Sequence, residues 1–403
     1  MLPVLDMTDP GFWADIHAPL RAALAQHPLA RSPRGAVMAL GYAEVATVLR
    51  DPRFRATHLL ARGGLRSGPI HDWWSRVMFS QNPPAHTRLR SLVSRAFTPR
   101  RVEALRPVIA RIADDLLSPL LERGEIDLLH DYAHHLPIRV MGRMLGVPEE
   151  DYALFADCTA KLGLTFNALV DAELRRDLEA SLSELDDYVG RLIDRRRRDP
   201  GEDLLSALVA AEQDGDRLSR EELVAMVENL LFAGHDTTRS FLSIALPLLL
   251  RERDVWNALR REPAAIPAAV EECLRLEPPA FGSAREPAVD VELAGVVLRA
   301  GIPISVATPA ANRDPRVWRD PDRFDLARFG AGASARGPAS LSFGLGIHAC
   351  LGASLARAEG QIGIERVLHA MPDLVLVEEP RWVPFAQIRR YERVRARFAP
   401  RRP

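Results

Sequence analysis

The sequence has little cysteine and almost no net charge. Its 403 residues include 3 cysteines, and its formal net charge at pH 7 is -1. An odd and sparse set of cysteines argues against a disulfide framework and favours a reducing compartment. A charge this close to zero creates no bulk field that would attract nucleic acid or a membrane surface. We therefore expect a cytoplasmic protein that has no nucleic-acid partner.

Long apolar runs, internal repeats and linkers are also lacking. No stretch of about eighteen or more apolar residues occurs, so we expect no membrane span. Residues 1–10 contain no basic region followed by an apolar run, so we expect no signal peptide. The hydrophobic fraction is 47% and the charged fraction 27%, which is typical of a globular protein with a large core. No long linker and no low-complexity tract divides the chain.

The dominant pattern that is present is helical periodicity. Apolar residues recur at the three- and four-residue spacing of helices in Tyr42–Arg50, Ala85–Ala96, Val102–Arg123, Ile138–Leu145, Tyr152–Leu162, Asp171–Arg198, Asp203–Asp214 and Ser219–Arg251. Short strand patterns occur at Val37–Leu40, Val289–Leu293, Val296–Arg299, Pro303–Thr308, Leu374–Val377 and Arg393–Phe398. Ala294 and Gly295 between two of these strands predict a β-hairpin. The sequence thus indicates a fold that is mainly α with a small β portion.

One cysteine lies in a glycine-rich loop. Residues 343–352 read Phe-Gly-Leu-Gly-Ile-His-Ala-Cys-Leu-Gly, with Cys350 near the end. Glycine lets a backbone turn its N–H groups toward a sulfur, and a helix beginning at Cys350 would add the positive end of its dipole. Both effects stabilise a thiolate, the form of cysteine that binds metals. The loop alone fits an inert buried cysteine equally well, and a zinc site at His348 and Cys350 lacks further ligands at suitable spacing.

The longest helical pattern is interrupted at its centre. Residues 230–239 read Leu-Leu-Phe-Ala-Gly-His-Asp-Thr-Thr-Arg. Gly234 lowers helix propensity by about 1 kcal/mol relative to alanine. A threonine hydroxyl can bond the carbonyl one turn earlier and bend the helix. A polar turn that faces solvent would have the same pattern, but local violations of this kind often mark functional sites.

Both segments resemble signatures of the cytochrome P-450 family, which implies the P-450 fold as a single domain over residues 1–403 and a heme b cofactor. The string from Phe343 to Gly352 resembles the heme-binding loop, and the resemblance implies that Cys350 is the thiolate ligand of the heme iron. Thiolate ligation favours cleavage of the O–O bond. Residues 233–238 are similar to the oxygen-activation motif. The resemblance implies that Thr237 is the hydroxyl beside dioxygen and that Asp236 relays protons. We expect Thr238 to be structural and His235 to face away from the heme, with a part in the relay as the alternative for His235.

Other charged residues match family positions in the same order along the chain. Glu272 and Arg275 resemble the Glu-x-x-Arg signature, and the resemblance implies that Arg323 completes a buried triad with them. The heme propionates need cationic partners. By the same resemblance these partners are His86, Arg90, Arg285 and His348.

The resemblance also implies an apolar substrate pocket above the heme. Its expected residues are Phe79, Phe166, Leu230, Ala233, Phe281 and Ile388. Apolar pockets with few polar groups suit lipophilic ligands, so we expect a monooxygenase that inserts one atom of O2 into a lipophilic small molecule, for example a steroid, terpenoid, polyketide or fatty-acid-like compound.

Electrons must come from separate partners, because the chain contains no Gly-x-Gly-x-x-Gly fingerprint for a dinucleotide. We expect a ferredoxin and its reductase, with Arg95, Arg101 and Arg357 as a docking patch. Two alternatives remain. The same heme fold could catalyse oxidative coupling or desaturation, or the protein could be a non-catalytic heme sensor, although a sensor has no need of the Asp236–Thr237 pair.

Overall fold

The computed structural model describes residues 1–57, 65, 67–94, 97–166, 172–213, 218–330 and 337–400, and most of these residues are helical. The α-helices, in chain order, are α1 (Pro10–Ala14), α2 (His17–Gln26), α3 (Tyr42–Arg50), α4 (Pro69–Arg76), α5 (Ala85–Ser94), α6 (Pro99–Leu117), α7 (His135–Leu145), α8 (Tyr152–Leu162), α9 (Ala172–Arg198), α10 (Leu204–Gln213), α11 (Arg220–Arg251), α12 (Arg253–Arg261), α13 (Ile266–Leu276), α14 (Thr308–Ala311) and α15 (Ala353–Ala370).

Three small sheets accompany the helices in the described part of the chain. Their strands are β1 (Leu29–Arg31), β2 (Val37–Ala39), β3 (Phe54–Ala56), β4 (Glu125–Asp127), β5 (Gly282–Pro287), β6 (Val291–Leu293), β7 (Val296–Leu298), β8 (Ile304–Ala307), β9 (Val375–Leu376) and β10 (Arg395–Arg397). The largest sheet has the order β1-β2-β8-β5-β3, in which only β2 and β8 run parallel. The sequence-based fold class, mainly α with a small β portion, is confirmed.

Helix α11 is the central element of the fold. It begins with a capping box in which the Ser219 hydroxyl and the Glu222 carboxylate bond each other's backbone N–H groups. Such a box satisfies two donors that a helix start leaves unpaired. Buried residues occur on all sides of α11, as expected for a helix that crosses a core. Its neighbours include α7, α8, α9 and α15.

Several predicted elements are confirmed to the residue. Helices α3 and α8 have the predicted bounds, and Ala294 and Gly295 form the hairpin between β6 and β7 with φ angles of 48° and 76°. Positive φ at both central residues is what a tight hairpin needs to match the twist of its strands. No helix in the described ranges is both long and apolar enough to cross a membrane.

Strand β5 fits closely against β8. Gly282 lies opposite Ala307, and a Cβ atom at Gly282 would come within 1.8 Å of the carbonyl oxygen of Val306. Real Cβ contacts are never that short, so only glycine allows this pairing. The strand continues to Arg285, which pairs with Ile304 and lies at the wall of the main cavity.

Candidate active site

A cavity of about 410 Å³ lies between α11 and the loop that carries Cys350. Helix α11 supplies one wall, because Asn229, Ala233 and Thr237 recur every fourth residue and therefore share a face. The opposite wall is the segment from Leu341 to Gly352, and β5 and α5 close the sides. The cavity therefore brings together the two segments that were singled out in the sequence.

The cysteine loop is held in place by its glycines and by Arg90. Gly344 and Gly346 have φ angles of 65° and 70°, which favour glycine. The backbone N–H of Cys350 donates to the carbonyl of Phe343 at 2.8 Å, and Arg90 donates to the carbonyl of Ala349 at 2.8 Å. Cys350 is exposed at the cavity wall, where its sulfur is open to a ligand inside the cavity.

The protonation of Cys350 differs from the sequence-based expectation. Helix α15 begins at Ala353 rather than at Cys350, with Gly352 as its N-cap residue. Burial raises the pKa of the Cys350 thiol, while the N–H of Gly352 and the charges of Arg90 and Arg357 lower it by less. The loop therefore does not ionise the thiol by itself. A coordinated metal does, because a thiol that ligates a metal loses its proton.

Four basic side chains converge beside this loop, as predicted. The rings of His86 and His348 lie 4.2 Å apart, and Arg90 and Arg285 lie at the same cavity. Burial lowers the pKa of Arg285 to about 10. Burial, together with Arg285, His86 and Arg90, lowers the pKa of His348 to about 3. Within the described ranges no carboxylate forms an ion pair with either arginine, so the group forms an uncompensated positive region.

These residues fit a heme. Both ring nitrogens of His348 and Nδ1 of His86 are buried without a hydrogen-bond partner in the described part of the chain. Buried polar atoms normally have partners, and two propionate anions would supply them here together with the missing negative charge. Cys350 would provide the sulfur ligand, and Phe343, with Arg357 stacked 4.4 Å from its ring centre, lies against the same space.

The side chains of Thr237 and Asp236 point away from α11 in different directions. The Thr237 hydroxyl lies at the cavity and donates to the carbonyl of Ala233 at 2.7 Å. The carboxylate of Asp236 is fully buried on the side of Gly163, where Arg239 donates to Oδ1 and Nη1 of Arg390 lies 4.0 Å from Oδ2. Asp236 thus stands behind the cavity wall, next to the hydroxyl that faces it.

His235 faces away from the cavity, as predicted. Its Nδ1 lies 2.9 Å from the Thr159 hydroxyl and its Nε2 lies 3.2 Å from the carbonyl of His134. Burial, followed by the charge of Arg239, holds the pKa of His235 well below its usual value. Thr238, predicted to be structural, also lines the cavity.

The buried triad contains a different arginine from the one predicted. Glu272 and Arg275 form a two-pronged ion pair, with contacts of 2.7 and 2.8 Å, and both are 0% exposed. The third member is Arg328, whose Nε lies 3.2 Å from Oε1 of Glu272. Arg323 is exposed and contributes only its backbone carbonyl, which accepts from Arg275. Both arginines precede a phenylalanine, and the sequence pattern did not distinguish them.

The structure places four of the six predicted substrate residues at the cavity. Phe79, Leu230, Ala233 and Ile388 line the cavity. Phe281 does not, because its ring packs against Phe12 and Trp13 in a separate core cluster. The side chain of Phe166 lies outside the described residues. The prediction missed Asn229, which the four-residue spacing from Ala233 could have indicated.

Comparisons with known proteins agree with this geometry. The family model described as Cytochrome P450 matches residues 149–371. Nocardicin C N-oxygenase of Nocardia uniformis subsp. tsuyamanensis is 42% identical over 85% of this chain and 84% of its own. Cytochrome P450 monooxygenase PikC of Streptomyces venezuelae is 39% identical over 96% of this chain and 92% of its own. The crystal structure of CalO2 is 33% identical with a TM-score of 0.92, covering 99% of this chain and 100% of that one.

The helical fold, the cysteine loop and the basic cluster together define a heme-thiolate enzyme. The extent of the matches shows the family directly. The chain belongs to the cytochrome P450 family, and the resemblance seen in its sequence is confirmed. Its cofactor is heme b, and it is an oxidoreductase of the monooxygenase class that acts with O2 on a lipophilic small molecule.

Proposed function

We propose that this chain hydroxylates or otherwise oxygenates its lipophilic substrate with protons delivered through Asp236 and Thr237 and with electrons from a ferredoxin. The observation that carries the proposal is the position of the Thr237 hydroxyl at the cavity with the Asp236 carboxylate buried directly behind it. The net reaction consumes O2, two electrons and two protons, and it yields oxygenated substrate and water. Heme iron, if held by the Cys350 thiolate, would supply the binding and activation of O2.

Asp236 and Thr237 have different roles in the proposed proton delivery. The Thr237 hydroxyl can accept a hydrogen bond from a water in the cavity, because its own proton is directed at the carbonyl of Ala233. Oδ2 of Asp236 has no hydrogen-bond partner among the described residues, so it is the oxygen that can accept and pass on a proton. Positioned proton transfer of this kind contributes about 100- to 10,000-fold to a rate.

The lining of the cavity supports a substrate that is mostly apolar. Carbon surfaces come from Phe79, Phe232, Leu230 and Ile388, while Asn229 offers an amide on the same face of α11. Apolar walls favour burial of apolar ligand surface, and one placed amide can orient the ligand. A relative with 42% identity is named as an N-oxygenase. The substrate atom that this enzyme oxygenates can therefore be nitrogen or carbon.

The direct test uses the purified holoenzyme, a surrogate ferredoxin with its reductase, and isotope-labelled dioxygen. Lipophilic compounds are first screened for a Soret shift that reports displacement of the iron's water ligand. The hits are then turned over. We expect a product that carries one labelled oxygen atom per molecule. A product that has lost two hydrogens or joined two carbons without gaining oxygen would instead indicate desaturation or coupling.

Docking of the ferredoxin is proposed at the exposed start of α6. Arg101 is exposed there, close in sequence to the cysteine-loop contact made by Arg90, whereas Arg357 is already paired with Glu271 at 2.5 Å. Arg95 lies outside the described residues. An acidic partner would be steered by such a charge mainly in its rate of association.

The docking proposal is tested by reversing one charge at a time. We expect Arg101→Glu to slow reduction of the heme by ferredoxin, with a larger effect at low ionic strength. Arg111→Glu is the matched control, because this exposed arginine lies ten residues further along the same helix, about 15 Å away. Equal reduction rates in the two variants would contradict a docking site at Arg101.

A further inference from the structure

A turn near the C-terminus forms part of the wall of the heme cavity. The chain folds back on itself between Trp382 and Tyr391, which lie opposite each other with their rings stacked 3.9 Å apart. Gln387 and Ile388, on the returning arm of this turn, line the cavity. Ile388 lies opposite Ala280, which lines the cavity as well. The position of the returning arm therefore decides part of the shape of the cavity.

Two backbone hydrogen bonds join the returning arm to the segment that follows α13. The Arg389 N–H donates to the carbonyl of Pro279 at 2.7 Å, and the Phe281 N–H donates to the carbonyl of Gln387 at 2.8 Å. Each bond contributes only about 0.5–1.5 kcal/mol net to stability, and a pair of strands on its own is marginally stable in water. These two bonds alone therefore hold the arm weakly.

An ion pair behind the cavity wall adds a stronger contact. Nη1 of Arg389 donates to Oε2 of Glu277 at 2.6 Å, and the Arg389 guanidinium lies 4.3 Å from the ring centre of Trp382. Arg389 is only 5% exposed, so water and salt screen this pair less than a surface pair. Glu277 is the C-cap residue of α13. The pair therefore ties the arm to the end of that helix, and neither residue lines the cavity.

The Glu277 carboxylate is itself fixed from a second side. Its Oε1 lies 2.7 Å from Nε2 of His17, at the start of α2, and accepts from Nη2 of Arg313 at 3.3 Å. Burial alone would raise the pKa of Glu277, but Arg389 first, and then His17 and Arg313, hold that pKa well below its usual value. Glu277 is therefore a charged anchor that three segments of the chain hold in place.

We propose that Arg389 is a positioning residue for the substrate, which acts by holding Ile388 against Ala280 through its ion pair with Glu277. Without this ion pair the returning arm keeps only its two backbone hydrogen bonds, and the wall at Ile388 can move outward. An apolar ligand then loses close contacts, each of which is small but which add up over a chain of carbons. The inference requires an apolar ligand in the heme cavity and does not depend on the proposed proton relay.

The test is spectral titration of the holoenzyme with two azoles, 1-dodecylimidazole and 1-methylimidazole. An imidazole nitrogen is a suitable ligand for iron, so both compounds report binding as a Soret shift. They share the iron-binding ring, and only the dodecyl chain is long enough to contact the cavity wall. The ratio of their dissociation constants therefore measures how well the wall fits an apolar chain. Azole binding requires neither electrons nor O2, so failure of the proposed monooxygenation would leave this test intact.

Two substitutions remove the ion pair from opposite ends. We expect Arg389→Met to weaken binding of 1-dodecylimidazole about tenfold and to leave binding of 1-methylimidazole unchanged, because the backbone N–H of residue 389 is retained. Glu277→Gln should have the same effect. The double variant should be no weaker than the single variants, because substitutions that break one shared contact are not additive. Arg389→Lys keeps the positive charge and should restore most of the affinity.

The matched control is Arg393→Met. This exposed arginine lies four residues further along the chain and pairs with Glu378 at 3.0 Å. We expect the control to bind both azoles as the unmodified protein does. Heme content is measured in every variant. If Arg389→Met retains too little heme, Glu277→Asp makes the same comparison, because it keeps the charge but shortens the side chain, and we expect an intermediate loss of affinity for the long azole.

Three results would overturn the proposal. The first is an unchanged ratio of the two dissociation constants in Arg389→Met and Glu277→Gln, or in Glu277→Asp where that variant takes their place. The second is an equal loss of affinity for both azoles, which would locate the effect at the iron and not at the wall. The third is an equal change of the ratio in Arg393→Met, which would show that any charge removed from this segment has the same effect.

Discussion

Arg239 donates a hydrogen bond to Asp236 from one turn further along α11, so the carboxylate is held by an arginine and not by its neighbour Thr237. The Thr237 hydroxyl is occupied with the carbonyl of Ala233. In the proposed relay, the Asp236 carboxylate would therefore have to turn from Arg239 toward the cavity before it passes on a proton.

Replacing Asp236 with asparagine should slow proton delivery. We expect Asp236→Asn to reduce kcat about 100-fold or more, because it removes the group that takes up a proton while keeping the side-chain shape. The solvent deuterium isotope effect on turnover should increase. Substrate affinity, read from the Soret shift, should stay the same, because Asp236 does not line the cavity. An unchanged kcat would show that protons arrive by another path.

Replacing Thr237 with alanine should uncouple the reaction. We expect Thr237→Ala to keep consuming O2 and reductant while product falls and hydrogen peroxide rises, because the hydroxyl that orders the proton donor is lost. Thr238→Ala is the matched control, since Thr238 also lines the cavity but was assigned no part in the relay. The measurement is the ratio of product to reductant consumed. A similar ratio in the two variants would contradict a special role for Thr237.

The corrected triad provides a paired stability test. Arg328→Ala leaves the buried carboxylate of Glu272 with one partner fewer, and losing one member of a buried network costs roughly 3–5 kcal/mol. Arg323→Ala should cost little, because only the backbone of Arg323 contacts Arg275. Denaturant unfolding and heme content measure both effects. Comparable losses of stability and heme content in the two variants would contradict the assignment of Arg328, and not Arg323, as the third member of the triad.

Removing the sulfur of Cys350 should change the cofactor without destroying the fold. We expect Cys350→Ser to lose the red-shifted Soret band of the reduced carbonyl complex, which depends on thiolate ligation. Cys158→Ala, at a buried cysteine outside the cavity, should keep that band. Circular dichroism checks the fold in both. Retention of the band in Cys350→Ser would mean that another residue ligates the iron.

His235 should make the protein less stable in acid. Its pKa in the folded state lies well below 6.5, its ordinary value, because of burial and then Arg239. Below pH 6.5 the unfolded chain therefore binds one proton that the folded chain does not, and stability falls as the pH is lowered toward the folded pKa. The contribution is about 1.4 kcal/mol per pH unit.

The measurement is the free energy of unfolding between pH 5 and pH 7. We expect His235→Gln to flatten the loss of stability on the acid side, and His369→Gln, at an exposed histidine near the end of α15, to leave the slope unchanged. Parallel curves for His235→Gln and the unmodified protein would contradict the assignment.

Sequence reasoning succeeded where local signals decide the structure. The bounds of α3 and α8 follow from apolar spacing alone, and the Ala294-Gly295 hairpin follows from turn chemistry. Strand β5 was missed because Gly282 and Pro287 argue against a strand. Its existence depends on pairing with β8 and β3, which are distant in sequence.

The site was predictable in its chemistry and less so in its geometry. Cys350 and the four basic residues were predicted to share one site, and they lie at one cavity, because their order along the chain is visible in the sequence. The direction in which a side chain points cannot be read from the sequence. Phe281 turns to Trp13 because the N-terminal helices offer it an apolar surface, and Arg328 replaces Arg323 because the chain after α14 folds back over α13.

The tight contact at Gly282 links the cofactor side of the enzyme to its substrate side. The same short strand presents Ser283 to the cavity and Arg285 to the basic cluster, so a side chain at 282 would push both away from β8 together. We therefore expect substitutions in β5 that alter the substrate range to disturb heme retention as well. Phe79 and Ile388 line the cavity from other segments, and we propose them as the positions at which new selectivity can be introduced independently.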